Sequence, residues 1–232
     1  MMMIIRPAEQ RGVGDFGWLK SRHSFSFGQY YDPNHMGFSS LRVINEDHVA
    51  PEAGFDTHGH KNMEIISYVI AGALKHRDSQ GHEQLLPAGE FQVMSAGKGI
   101  YHSEYNASHQ APVHFLQIWI EPNEFDSEPS YQQQAFSVSE GLTVIAGPKD
   151  SGAPLTLRQD AWIHQLYLTN GQHYQQSVKS HRHYYVHVVK GMLEIDQQRL
   201  SSGDGAKISS TNTIDYQQLG EEPVQVLIFD LV

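Results

Sequence analysis

Gly54-Phe55-Asp56-Thr57-His58-Gly59-His60-Lys61-Asn62-Met63-Glu64 and, further along, Ile100-Tyr101-His102-Ser103-Glu104-Tyr105-Asn106 decide how this chain is read. Each segment sets a pair of metal-ligating side chains two residues apart. On a β-strand, residues i and i+2 leave from the same face. Two neighbouring strands of this kind would therefore aim His58, His60, His102 and Glu104 into one pocket. Glu64 shares the parity of His58 and His60, so it faces the same interior if that strand stays regular. Three imidazoles and a carboxylate suit a borderline divalent transition metal such as iron, manganese, nickel, copper or zinc. The chain holds 15 histidines among 232 residues, so one close pair alone would carry little weight. The same spacing in two successive segments carries more.

Outward from these segments, short alternating apolar runs recur between Gly, Pro, Asp and Asn, and long stretches of helical period are hard to find. Strands are predicted at 41–45, 64–70, 91–94, 113–120, 142–146, 163–168, 184–189, 192–195 and 224–231. Many short strands with turn residues between them argue for an all-β sandwich or barrel. A faint repeat supports two units. Tyr68-Val69-Ile70-Ala71-Gly72 followed by Pro87-Ala88-Gly89-Glu90-Phe91 is answered by Val188-Val189-Lys190-Gly191-Met192 and Ser202-Gly203-Asp204-Gly205. Each copy is a strand closed by a glycine, a hairpin, then a Gly-acid turn into another strand. The polar segment 122–129 is the expected link, which divides the chain into 1–125 and 126–232.

The formal charge is −10 with no Lys/Arg cluster, so the basic stripe of a nucleic-acid footprint is missing and direct DNA or RNA binding is disfavoured. No apolar run approaches the roughly 18 to 20 residues that span a bilayer. The opening Met1-Met2-Met3-Ile4-Ile5 is cut off by Arg6 and Pro7, unlike a secretory signal. Cysteine is absent, which removes disulfide and thiolate chemistry and is compatible with a cytoplasmic location.

The first quoted segment looks like the G…HxH…E…G motif of cupin barrels, and the second like their PxG…H…N motif. More narrowly, the chain resembles the pirin family in its bacterial branch. The carrying residues begin with Gly17-Trp18-Leu19, His23-Ser24-Phe25-Ser26-Phe27 and Tyr30-Tyr31-Asp32-Pro33. They continue with Gly37 through Asp47, His58 through Glu64, Ser95 through Glu104, and Gln117-Ile118-Trp119. The match is dense up to about residue 120. The second half agrees mainly in layout.

The resemblance implies a bicupin: two jelly-roll-like barrels packed together, with the metal site in the N-terminal barrel only. Counted from Gly191 and Gly203, the slots of His58, His60 and His102 fall on Ser177, Lys179 and Tyr216. His181-Arg182-His183 therefore stands out of register. Carried over residue by residue, the family's ligands are His58, His60, His102 and Glu104. Glu64 stands where ordinary cupins keep their carboxylate ligand, and its expected place here is outside the coordination sphere. One divalent ion is implied, iron(II) first, with manganese, nickel, cobalt, copper or zinc as alternatives.

The implied activity is cleavage of flavonols such as quercetin by dioxygen, with release of carbon monoxide. Glu104, or failing it Glu64, would take the hydroxyl proton, and Phe55, Met63 and Tyr105 would line an apolar pocket. Other pirins are implied to be metal-dependent, redox-sensitive regulators acting on protein partners. Asn106 and Gln117 stand where they could reach the pocket mouth. The aromatic run Phe25, Phe27, Tyr30, Tyr31, Phe38 reads as core sooner than as substrate wall, and His76 as a surface or structural histidine.

Overall fold

The computed structural model describes residues 1–169 and 171–232. Among them every regular element is a strand apart from a short 3-10 turn at Ala8–Gln10, and no helix is long and apolar enough to cross a membrane. Every strand predicted from periodicity is present, most of them longer than expected: 41–45 extends to Leu41–Val49 and 184–189 to His183–Lys190.

The strands form two sandwiches, each of one seven-stranded and one four-stranded sheet. In the first, the large sheet runs Ser130–Ala135, Glu90–Ser95, Glu64–Ala71, Val113–Ile120, Leu41–Val49, Leu19–His23, Gly12–Asp15. Its small sheet runs Gly54–His60, Ile100–Asn106, Ala73–Asp78, Glu83–Pro87. The second sandwich repeats the plan. Its large sheet is Met2–Arg6, Gly205–Ser209, His183–Lys190, Val224–Leu231, Trp162–Leu168, Gly141–Pro148, Leu155–Leu157, and its small one His173–Ser177, Thr213–Leu219, Met192–Ile195, Gln198–Ser201. The faint repeat is thus structural. Gly72 and Gly191 close equivalent turns at φ 83° and 85°, and Gly89 and Gly203 both stand at 86°. A side chain resists this left-handed region, which is why both copies keep glycine there.

A cut at residue 125 does not separate the sheets. Met2–Arg6 pairs with Gly205–Ser209 in the second sandwich, and Ser130–Ala135 returns to pair with Glu90–Ser95 in the first. Each half thereby completes the other's sheet, and the exchanged strands cover edges that would otherwise stay open.

The two large sheets pack face to face. Ile44, Ile66, Phe91, Val93 and Ile118 from one meet Ile145, Ile163, Tyr185, Leu227 and Phe229 from the other in one apolar layer. Phe25 joins that layer against Tyr185, with ring centroids 5.4 Å apart, and Phe38 packs beside it. Because side chains alternate, the intervening residues of the first large sheet, including Ser67, Gln92, Gln117 and Trp119, face its own small sheet. This alternation is what furnishes the interior of the first barrel.

His187 lies at the edge of the inter-sheet layer, fully buried, and burial together with the nearby Arg11 guanidinium pushes its pKa down to about 3. The unfolded imidazole takes a proton near pH ~6.5. The native form therefore has its full stability from this group above that pH and loses about 1.4 kcal/mol per pH unit on acidification below it. Replacing His187 by Asn is expected to remove this slope. Urea unfolding of both proteins between pH 7 and 5 measures it, and parallel stability profiles would refute the assignment.

Candidate metal centre

His58 and His60 stand on Gly54–His60, with His102 and Glu104 on the adjoining Ile100–Asn106. His102 lies directly opposite His58, and the rings of His58, His60 and His102 approach to centroid distances of 4.5 to 4.9 Å. Candidate donor atoms of these three residues lie within 4.8 Å of one another. The His58 Nδ1–H donates to the Asp56 carbonyl at 2.7 Å, which fixes the ring and leaves Nε2 free. Burial, reinforced by the neighbouring imidazoles, pushes His60 down to about 4. Burial likewise takes His102 to about 4, with Glu104 opposing and His58 and His76 assisting. Both rings are therefore neutral at pH 7, with lone pairs available.

Glu104 is fully buried and well supported. Ser67 Oγ at 3.0 Å and Gln92 Nε2 at 2.8 Å donate to its Oε1, and Gln117 Nε2 at 2.8 Å donates to Oε2. Burial alone would raise its pKa, but the adjacent imidazoles and these donors hold it below the ordinary carboxylate value.

The four expected ligands do not form one tight group. Besides the three-histidine set, a second set of donors within 4.8 Å joins His76, His102 and Glu104, so His102 belongs to both. The cause is a register shift between His102 and Glu104: His102 opposes His58, but Glu104 opposes Phe55. On its other edge Glu104 pairs with His76. The bulge moves the carboxylate to the inner side of His102.

His76, which the sequence places among the surface or structural histidines, lies beside the cluster instead. It is fully buried, its Nε2–H donates to Asp78 Oδ2 at 3.0 Å, and Asp78 also accepts from His82 Nδ1 at 2.9 Å. Tyr131 lies over both imidazoles, 4.7 Å from His76 and 5.2 Å from His82, and its hydroxyl meets Gln92 Oε1 at 3.1 Å. The available signal was the His76-x-Asp78 pair, which shares the two-residue spacing of the other segments.

Glu64 does not reach the cluster. Three residues, Lys61 to Met63, interrupt the strand, with Asn62 in the left-handed region at φ 50°, and the chain resumes in the opposite sheet. Strand parity does not carry across such a turn. The Glu64 carboxylate accepts from Ser95 Oγ at 2.9 Å and from the Arg158 backbone N–H at 3.2 Å, which ties the two sandwiches together.

The expected pocket lining is rearranged too. Phe55 turns its ring edge against Trp18, 5.2 Å away, and packs with Leu19, Val49 and Leu74. Tyr105 alternates to the face away from Glu104, and its hydroxyl donates to Asp56. Met63 remains near, sharing an apolar cluster with Trp119 and Tyr131. Trp119 is the wall at the imidazoles, edge-on to His60 at 5.0 Å and backed by Phe27 at 5.3 Å. Gln117 reaches the centre through Glu104, whereas Asn106 donates to the carbonyls of Val49, Ala50 and Ala111 and holds a loop.

Both ring nitrogens of His102 lack a hydrogen-bond partner among the described residues, although the side chain is 1% exposed. Buried polar atoms are rarely left so. Neutral imidazoles with free lone pairs, converging beside an ionised carboxylate, fit a divalent transition metal.

Comparison with known proteins agrees. The family model described as Pirin matches residues 5–120, and that described as Quercetinase C-terminal cupin domain matches residues 144–231. The chain is 41% identical over 230 residues to a quercetin 2,3-dioxygenase of Escherichia coli strain K12, covering 99% of both chains. The chain belongs to the pirin family. This pirin also superposes on the crystal structure of YhhW from Escherichia coli with a TM-score of 0.96 at 41% identity, covering 100% of this chain and 98% of that one. For the crystal structure of the bacterial pirin YhhW in complex with nickel(II), the TM-score is 0.95 at 41% identity, with 99% of each chain covered. The fold is accordingly a bicupin.

In the C-terminal barrel of this pirin, Tyr216 pairs with Ile195 as Glu104 pairs with His76. Tyr216 thus takes the position of Glu104, two residues from the slot expected by counting glycines. Its neighbours Leu193, Ile195, Ala206 and Ile214 are all fully buried, so apolar side chains fill the space that polar groups occupy in the first barrel. Arg182, of the out-of-register His181-Arg182-His183, is a structural anchor bonded to Asp160 and Asp230.

Because Glu64 lies outside the cluster, Glu64→Gln is expected to keep wild-type metal content while losing about 1 kcal/mol of stability from its inter-sandwich bonds. Metal analysis beside a thermal melt checks this. Loss of metal in that variant would return Glu64 to the centre.

Proposed function

We propose that this pirin is a cytoplasmic, metal-dependent dioxygenase that opens flavonols such as quercetin with O2, releasing carbon monoxide and leaving a depside ester. The observation that carries this reading is the convergence of three imidazoles, with the Glu104 carboxylate on the inner side of His102 and Trp119 as a wall, in a chain similar throughout to a protein named quercetin 2,3-dioxygenase. His58, His60, His102 and Glu104 would hold one divalent ion, with iron(II) as first candidate. The nickel(II) complex of YhhW supports a divalent transition metal in this role. When bound, such an ion supplies a Lewis acid that lowers the pKa of the flavonol hydroxyl and a template for both reactants.

The residues of the chain do the rest. The Asp56 carbonyl sets the tautomer of His58, so that Nε2 points away from the backbone it is tied to. The neighbouring His102 and His76, with hydrogen bonds from Ser67 and Gln117, hold the Glu104 pKa below the ordinary carboxylate value in a place where burial alone would raise it. Glu104 Oε2 accepts only the Gln117 amide and so retains capacity for the proton of the flavonol 3-hydroxyl. Trp119, held from behind by Phe27, would offer an apolar wall suited to a polyphenol.

The test is aerobic incubation of the metal-loaded protein with quercetin, following flavonol, dissolved oxygen and carbon monoxide together. Equal molar loss of quercetin and oxygen with matching carbon monoxide, abolished by a chelator and restored by metal, is the expected result. No consumption of quercetin with iron, manganese, nickel, cobalt, copper or zinc would overturn the reading.

A further inference from the structure

The second donor set, His76 with His102 and Glu104, differs from the first in ways that bear on what it can hold. All three of its side chains are buried, with His76 at 0% and His102 and Glu104 at 1% exposure, whereas His58 and His60 are partly open. His76 Nδ1 has no hydrogen-bond partner among the described residues, and neither nitrogen of His102 has one. The tautomer of His76 follows from Asp78. Its Nε2–H is given to a carboxylate that is itself completely buried, so Nδ1 is the nitrogen left to face a ligand. Glu104 is fixed by Ser67, Gln92 and Gln117. Outer hydrogen bonds of this kind orient metal ligands and raise their basicity. The inner set has them at two of its three donors, and the outer set only at His58.

Leaving such lone pairs in a dry interior is costly, and a cation relieves all of them at once. Two imidazoles and one carboxylate, with room left for further ligands, is also the donor composition that suits iron(II) in oxygen chemistry.

We propose that His76, His102 and Glu104 form an inner metal position, so that His76 is a protein ligand and His102 is shared with the outer set of His58 and His60. The ion then has two overlapping seats on either side of one imidazole. This inference rests on the metal-binding part of the function proposed above and is independent of the flavonol.

Cobalt(II) binding tests it without any turnover assay. His76→Gln keeps an amide N–H for Asp78 while deleting the donor at Nδ1, and His76→Asn places an oxygen near where Nδ1 was. Expected are a cobalt affinity lowered by about 10-fold or more in His76→Gln, because losing even an outer partner costs 10–100-fold, a changed visible cobalt spectrum, and partial recovery in His76→Asn. Thermal melts without metal verify that each variant is folded. His60→Ala, which breaks only the outer set, is expected to retain one cobalt per chain. Wild-type affinity and spectrum in His76→Gln would overturn the inner position, as would complete loss of cobalt in His60→Ala. A wild-type protein that binds no cobalt would instead remove the metal-centre reading itself.

Discussion

His102→Ala is expected to yield a folded protein that carries no divalent metal and turns quercetin over more than about 100-fold more slowly, since loss of an outer-sphere partner alone costs 10–100-fold. The reason is position. His102 is the one residue common to both donor sets, buried to 1% exposure, between the rings of His58 and His60 on one side and His76 on the other. Its ring nitrogens make no hydrogen bonds, so in the metal-free fold they contribute nothing that alanine would forfeit. The apo variant should stay folded, its melt lowered only by the lost packing of the ring against its neighbouring imidazoles. The difference appears on adding metal. A ligand that binds only the native state raises stability by RT ln(1 + [L]/Kd), about 2.7 kcal/mol at a hundredfold excess over Kd. The wild-type melting temperature should rise with added iron(II) or nickel(II), and that of His102→Ala should stay still. An equal rise in the variant would mean that the histidine cluster is not where the metal sits.

Phe229→Ala is expected to cost about 3–5 kcal/mol, the range for emptying a buried phenylalanine site. That is a large fraction of the roughly 5–15 kcal/mol by which a domain is stable. Phe229 is fully buried in the layer between the two large sheets, beside Tyr185 at a centroid distance of 6.3 Å. The seam cannot collapse onto the gap, because both walls are β-sheets held by their own ladders. Metal content per folded chain should be unchanged, since the residue faces away from the first barrel's interior. Urea unfolding measures the loss. A cost under about 1 kcal/mol would show that the sheets close over the hole or that the seam contributes little.

These two sites were legible in the sequence to different degrees. The His58/His60 and His102/Glu104 pairs declared themselves through spacing, because a strand's two-residue period is a property of local backbone geometry. So did the strands around them: Val224–Leu231 and Val113–Ile120 were read to the residue. The glycines at 72, 89, 191 and 203 marked the repeat because each occupies a backbone conformation that other residues resist. The expectation that Glu64 stands outside the coordination sphere matches its position, but its parity with His60 misled, because it was counted across Lys61 to Met63, where the backbone turns into another sheet. Phe55 and Tyr105 misled because nearness in sequence to a ligand says nothing about which face of the strand a side chain takes.

What the chain specified by itself was an all-β fold, two repeats of one plan, and two spaced pairs of candidate metal ligands; the bicupin and the assignment of those pairs as ligands came from the resemblance to the pirin family. The first three are encoded over a few residues, in alternation, turn glycines and pair spacing. What only the tertiary structure decided was which side chains meet. The bulge between His102 and Glu104, the approach of His76 from the next strand, the exchange of Met2–Arg6 and Ser130–Ala135 between sandwiches, and the amide support from Ser67, Gln92 and Gln117 all arise from contacts between strands distant in sequence. Register across a sheet is set by packing on both of its faces at once, and no local pattern of residues carries that information.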